Sequence, residues 1–187
     1  MKKILIGVSL VLIIGLAYVF THEWFSEQKD KVEKVMHPEY EKIDDARGVL
    51  DKILEHISET NPGLTLVDGE LVDSELGLPH YEVVGILELA HFDEDKIVSG
   101  CVVRPVVTAE NPKMLIVVEA ADKAASVQTK AAMDKVKSDQ YEQFTDAGMW
   151  TQYLIDENKI ERQGNFLLYA TWEDSKDLVK IFQRYVQ

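Results

Sequence analysis

Lys2-Lys3 opens the chain and is followed by seventeen residues without a charge, Ile4 to Phe20, before the sequence turns polar at Thr21-His22-Glu23. At 1.5 Å per residue that run makes a helix of about 25 Å, slightly short of a hydrocarbon core of roughly 30 Å. Trp24 and Phe25 extend it into the interfacial zone that tryptophan favours. A basic start and an apolar run make a secretory signal or a signal anchor. Gly15-Leu16-Ala17 offers the small residues a cleavage site needs, but Tyr18-Val19-Phe20 would follow the cut with no polar stretch before it. The reading is an uncleaved, single-pass anchor over 1–21, with secretion of the remainder as the alternative. Lys2 and Lys3 stay inside and the rest of the chain lies outside the cytoplasm. Residues 22–38 form a charged juxtamembrane stalk, in which Pro38 interrupts helix.

Beyond it the pattern predicts one domain over 39–187. Ile43, Ala46, Leu50, Ile53, Leu54 and Ile57 recur at helical spacing and predict a helix over 39–58, stopped by Asn61-Pro62-Gly63. Residues 64–80 read as loop. Residues 81–91 suit either period, and the helix is preferred. Residues 97–107 are rich in β-branched residues and predict a strand with Pro105 near its end, and Met114 to Val118 predict a second. A long helix over 122–143 follows, with Asp122 as its cap and Ala124, Ala125, Ala131 and Ala132 allowing close approach to a sheet. A short helix over 149–157 comes next. A hairpin then runs from Lys159 to Arg162, turns at Gln163-Gly164-Asn165 and returns over Phe166 to Thr171. A last helix spans 175–186, with Leu178, Phe182 and Tyr185 on one face and Asp174 as its cap. The expected fold class is α+β: an antiparallel sheet with helices on one face, around a β-β-α-β-β-α core.

Composition narrows the function classes. The 46% hydrophobic content suffices for a globular core. With Lys2 and Lys3 set aside, 18 Lys and Arg face 33 Asp and Glu, leaving −15 outside the apolar run. That excludes nucleic acid and anionic lipid heads as natural partners. Cys101, the single cysteine, excludes an internal disulfide; without a cysteine directly after the apolar run, lipid anchoring by the bacterial lipoprotein route is excluded too. It sits among Val102 and Val103 and reads as a buried, inert thiol, with Arg104 the one nearby group able to activate it.

The search for chemistry yields few candidates. His22, His37, His56, His80 and His91 form no zinc-binding spacing. His80 and His91 with Asp93, Glu94 and Asp95 are the best cluster for a cation, yet Ile97 and Val98 stand where a calcium loop needs glycine and oxygen ligands. Asp44-Asp45, and Glu119 with Asp122, read as solvated or capping groups. Trp150, Tyr153 and Trp172 are candidates for a binding surface. Phosphate loops, nucleophile elbows and paired-cysteine metal motifs are absent, so no catalytic, metal or cofactor site is assigned.

Residues 92–187 resemble the uncharacterised domain-of-unknown-function family 4358 of small Gram-positive envelope proteins. The likeness rests on FDEDKIVSGCVVRPVV, on MLIVVEAADKAASVQTKAAMDKVKSDQYEQF and on RQGNFLLYATWEDSKDLVKIF. It covers about half of the chain. Many members are lipoproteins, whereas this chain has a peptide anchor in place of the lipobox cysteine. The resemblance implies a membrane-tethered, extracytoplasmic domain and carries no activity or functional residue with it. The resulting expectation is a non-catalytic binding or adaptor module of the cell envelope, engaging an envelope protein or wall component. The alternatives are an envelope hydrolase whose carboxylates converge only in three dimensions, and a spacer that self-associates through residues 26–58.

Overall fold

The computed structural model describes residues 43–107 and 111–186. The expected anchor over 1–21, the stalk over 22–38 and the first turn of the helix expected from 39 lie outside the described residues. Among those described, no helix is long and apolar enough to cross a membrane.

Helix α1 spans Ala46–Thr60. Asp45 caps it, its carboxylate accepting from the Gly48 N–H at 2.7 Å and satisfying one of the first-turn donors that a helix leaves open. Ala46, Val49, Leu50, Ile53, Leu54 and Ile57 make one buried stripe, as the spacing predicts. Strands β1 (Leu64–Val67) and β2 (Glu70–Asp73) then form a hairpin where a loop was expected. Asp68 and Gly69 both have positive φ, 49° and 82°, which is the Asp-Gly turn whose twist matches a two-residue hairpin. The strands are only four residues each, so their alternation is too brief to stand out.

Strand β3 (Tyr81–Gly85) corrects the helix preferred for 81–91. The local pattern was undecided, and pairing decides it: Tyr81 lies opposite Pro105 and Gly85 opposite Cys101 of β4 (Ile97–Pro105). Only Ile86–Glu88 keeps helical winding, as one 3-10 turn. Gly100 on β4 seats that turn, since a Cβ there would lie 2.7 Å from the Ile86 Cγ2. Pro105 closes β4, where its missing donor costs nothing further along the strand.

Strand β5 (Met114–Ala120) leads into α2 (Lys123–Gln143), capped by the Asp122 carboxylate on the Ala125 N–H at 2.7 Å. Helix α3 (Met149–Asp156), strands β6 (Lys159–Gln163) and β7 (Phe166–Thr171), and α4 (Ser175–Tyr185) complete the domain. Asp174 occupies the cap position of α4 without a side-chain capping bond.

The fold is α+β, with an antiparallel five-stranded sheet in the order β3-β4-β5-β7-β6 beside the β1–β2 hairpin. Helices cover both faces of the large sheet, not one. Val103, Leu115, Val117, Leu168 and Ala170 pack with α1 and α4, burying Leu50, Ile53 and Phe182. Val102, Ile116, Val118, Leu167 and Tyr169 face the other way and pack with Ala125, Met133 and Val136 of α2. The unbroken apolar runs of β5 and β7 follow from this, because strands covered on both faces need no polar alternate positions.

One polar cluster is buried inside this packing. The Tyr169 hydroxyl donates to Gln140 Oε1 at 2.6 Å, and the Thr171 hydroxyl donates to the same oxygen at 3.0 Å. Gln140 Nε2 donates to the Pro112 carbonyl at 2.9 Å, and Asn158 Nδ2 to Thr171 Oγ1 at 3.0 Å. It fastens α2 to β7 and to the turn before β5.

Candidate functional site

Of the cluster expected around the acidic turn, His91 and Asp93 border one small groove, while His80 lies at the other end of the β3–β4 pair. Asp93 uses its carboxylate within its own turn, accepting from the Asp95 N–H at 3.2 Å and capping the 3-10 turn Glu94–Lys96. His80 sets its ring against Tyr81, centroids 4.9 Å apart and planes tilted by 58°, at the start of β3. His91 reaches across to α2 instead, its Nε2 2.5 Å from Asp139 Oδ2. The pair is 48 residues apart in sequence, and no pattern along the chain announces it. Beside it lies a groove of about 170 Å³ bordered by Phe92, Lys96, Gln128 and Thr129. Among the described residues no three His, Cys, Asp or Glu side chains gather closely enough to hold a metal ion.

Other sequence candidates have structural tasks. Asp45 and Asp122 are caps. Glu119 accepts from the Ser99 hydroxyl at 3.1 Å, which itself accepts from the Ala46 N–H at 3.1 Å, so this relay fixes the start of α1 to the sheet. Arg104 is engaged by Glu82 at 2.6 Å and Glu88 at 3.0 Å, away from any role at Cys101. Cys101 is half-buried on β4, and burial pushes its thiol above the usual range. Its thiolate fraction at pH 8 is therefore below that of a free cysteine. Iodoacetamide should label Cys101 more slowly than free cysteine at pH 8, with a rate still rising where the free thiol levels off; labelling as fast as the free thiol would contradict the burial argument.

The aromatic trio divides. Trp172 is buried at 3% exposure against Tyr81, ring centroids 4.8 Å apart, with the Lys113 ammonium 5.3 Å over its ring. Lys113 also pairs with Glu173. Trp172 is thus a core residue. Trp150 and Tyr153 lie on α3 at 59% and 52% exposure, their rings stacked 5.5 Å apart at 23°. Met149, 91% exposed and four positions before Tyr153, falls on the same helical face and was not singled out from sequence. Leu154 and Ile155 point the opposite way into the protein. The helix is held from below, where Gln152 Nε2 donates to the Phe144 carbonyl.

Acidic and polar groups lie on the Thr151 side of α3 and on its approach. A cleft of about 580 Å³ borders α3, lined by Glu142, Thr145, Asp146 and Thr151 among others. At the far end of α3 the Tyr141 hydroxyl donates to Asp156, and that bond, with the adjacent negative charge, raises the Tyr141 phenol above its ordinary value. An exposed Met-Trp-Tyr face on a rigid helix is suited to hydrophobic docking, while an isolated His–Asp pair beside a small groove is the nearest thing to acid–base machinery.

No family model, curated protein or solved structure matches the chain.

Proposed function

We propose that the chain is a single-pass envelope protein that presents a non-catalytic binding domain outside the cytoplasm, related to family 4358. Its anchor is residues 1–21, its stalk 22–38. The observation that carries the binding role is the solvent-facing Met149-Trp150-Tyr153 surface, since stacked, exposed aromatics on a fixed helix are the anchors that interfaces favour. The basic start, the uncharged run of Ile4 to Phe20 and the strongly acidic remainder support the location. Protease treatment of intact, wall-stripped cells carrying the C-terminally tagged full chain tests the topology. Membrane-bound protein digested from outside is the expected result. Release of a shortened chain into the medium would make the first segment a cleaved signal, and protection in intact cells would sink the outward topology.

A second reading, an envelope hydrolase, is favoured by His91–Asp139. Among the described residues no hydroxyl or thiol bonds to His91, so the nucleophile this reading gives the pair is water. Hydrolysis of an activated ester that disappears in His91→Ala at unchanged stability would decide for this reading.

A further inference from the structure

The binding role proposed above leaves the chemistry of the partner open, and the surroundings of α3 restrict it. Met149, Trp150 and Tyr153 share one helical face, so a partner meets an apolar strip along a single helix. Residues 138–158, which contain that helix and its approach, hold five carboxylates and no lysine or arginine. Three of the five are engaged within the protein, Asp139 by His91, Asp156 by the Tyr141 hydroxyl and Glu157 by Lys159 and Lys176. Glu142 and Asp146 are exposed and make no ion pair among the described residues. An apolar strip beside unneutralised carboxylates repels an anionic lipid surface. It repels a second copy of this chain as well, because each copy brings the same acidic surroundings. What complements it is apolar contact combined with positive charge, and cations additionally gain from the exposed indole face.

We infer that the Met149-Trp150-Tyr153 face docks a cationic amphipathic polypeptide segment, its apolar side chains on the aromatic pair and its lysines or arginines toward Glu142 and Asp146. The inference rests on the binding role proposed above.

The test uses the full chain in phosphatidylcholine nanodiscs, with a fluorescein-labelled peptide of lysine, leucine and serine, about twelve residues long so as to span a helix of this size. A sister peptide with glutamate in place of lysine, and empty nanodiscs, are the controls. Fluorescence anisotropy should report binding of the lysine peptide above the empty-disc background, weakening as salt is raised, and none of the glutamate peptide. Trp150→Ala and Tyr153→Ala should each weaken binding about tenfold or more, as for exposed aromatic anchors. Glu142→Gln combined with Asp146→Asn should weaken it about threefold and flatten the salt dependence. All four side chains are exposed, so the circular dichroism of the variants should match the parent. No binding of the lysine peptide would overturn the inference, as would equal binding of both peptides or indifference to Trp150→Ala and Tyr153→Ala. Quenching of tryptophan emission by brominated lipid in the parent but not in Trp150→Ala would overturn it in favour of a membrane-facing patch. A Trp150-dependent dimer would overturn it in favour of self-association. The protease experiment depends on none of these residues, so failure of the topology and failure of the partner chemistry are read separately.

Discussion

Replacing Gln140 by leucine is expected to lower the unfolding free energy by about 3 kcal/mol or more, because each buried polar group left without its partner costs roughly 1–3 kcal/mol. Leucine keeps much of the volume but removes the oxygen that receives both the Tyr169 and the Thr171 hydroxyls. It also removes the donor to the Pro112 carbonyl. Thr171 keeps its bond from Asn158, so its loss is partial, whereas Tyr169 is fully buried and has nowhere else to turn. Burial already raises the Tyr169 phenol above its ordinary value, so the hydroxyl stays protonated and cannot relieve the loss by ionising. Denaturant unfolding of the full chain, followed by near-ultraviolet circular dichroism, measures the effect. Tyr169→Phe in the Gln140→Leu background should then cost less than Tyr169→Phe alone, since the hydroxyl it removes is already stranded. A loss below about 1 kcal/mol for Gln140→Leu would mean that the cluster is replaceable by apolar packing.

Phe182→Ala is the second large effect, at about 3–5 kcal/mol for a fully buried phenylalanine. Phe182 has no exposure and sits among α1, α4 and the sheet residues of that face. Truncation empties the joint where the two helices meet the sheet, and the surrounding β-strands are too well paired to collapse into the space. Phe182→Leu, which keeps most of the apolar volume, should cost markedly less. Hydrogen exchange of the alanine variant should quicken in α1 and α4 before α2, which packs on the opposite face. An Ala variant within about 1 kcal/mol of the parent would sink the assignment of Phe182 as the keystone of that layer.

The fold was legible wherever the local pattern was strong. The apolar runs at β5 and β7, the Asp122 cap and the Gln163-Gly164-Asn165 turn mark elements that the structure contains. It was not legible where pairing overrides a balanced local pattern. Residues 81–91 carry both periods, and only the partner strand β4 makes Tyr81–Gly85 extended. The β1–β2 hairpin was hidden by its brevity, although Asp68-Gly69 is the residue pair that such a turn demands. The single helical face expected for the sheet failed because β5 and β7 carry apolar residues at both alternate positions, and each set is covered by its own helices. For the site, the aromatics were visible as residue types but not as faces. Trp150 and Tyr153 stay at the surface, while Trp172, nineteen positions beyond Tyr153 and at the end of a buried strand, goes to the core. The His91–Asp139 pair joins residues far apart in the chain, and contact of that kind leaves no trace in spacing.

The Ile43 N–H donates to the Tyr185 carbonyl at 3.3 Å, which sets the first described residue beside the last turn of α4. The two ends of the domain therefore share one corner of the molecule. Mechanical load applied between them acts first on α1 and α4, the helices nearest those ends, and reaches the five-stranded sheet through them. A domain strung this way is expected to yield at its helical cover before its central sheet.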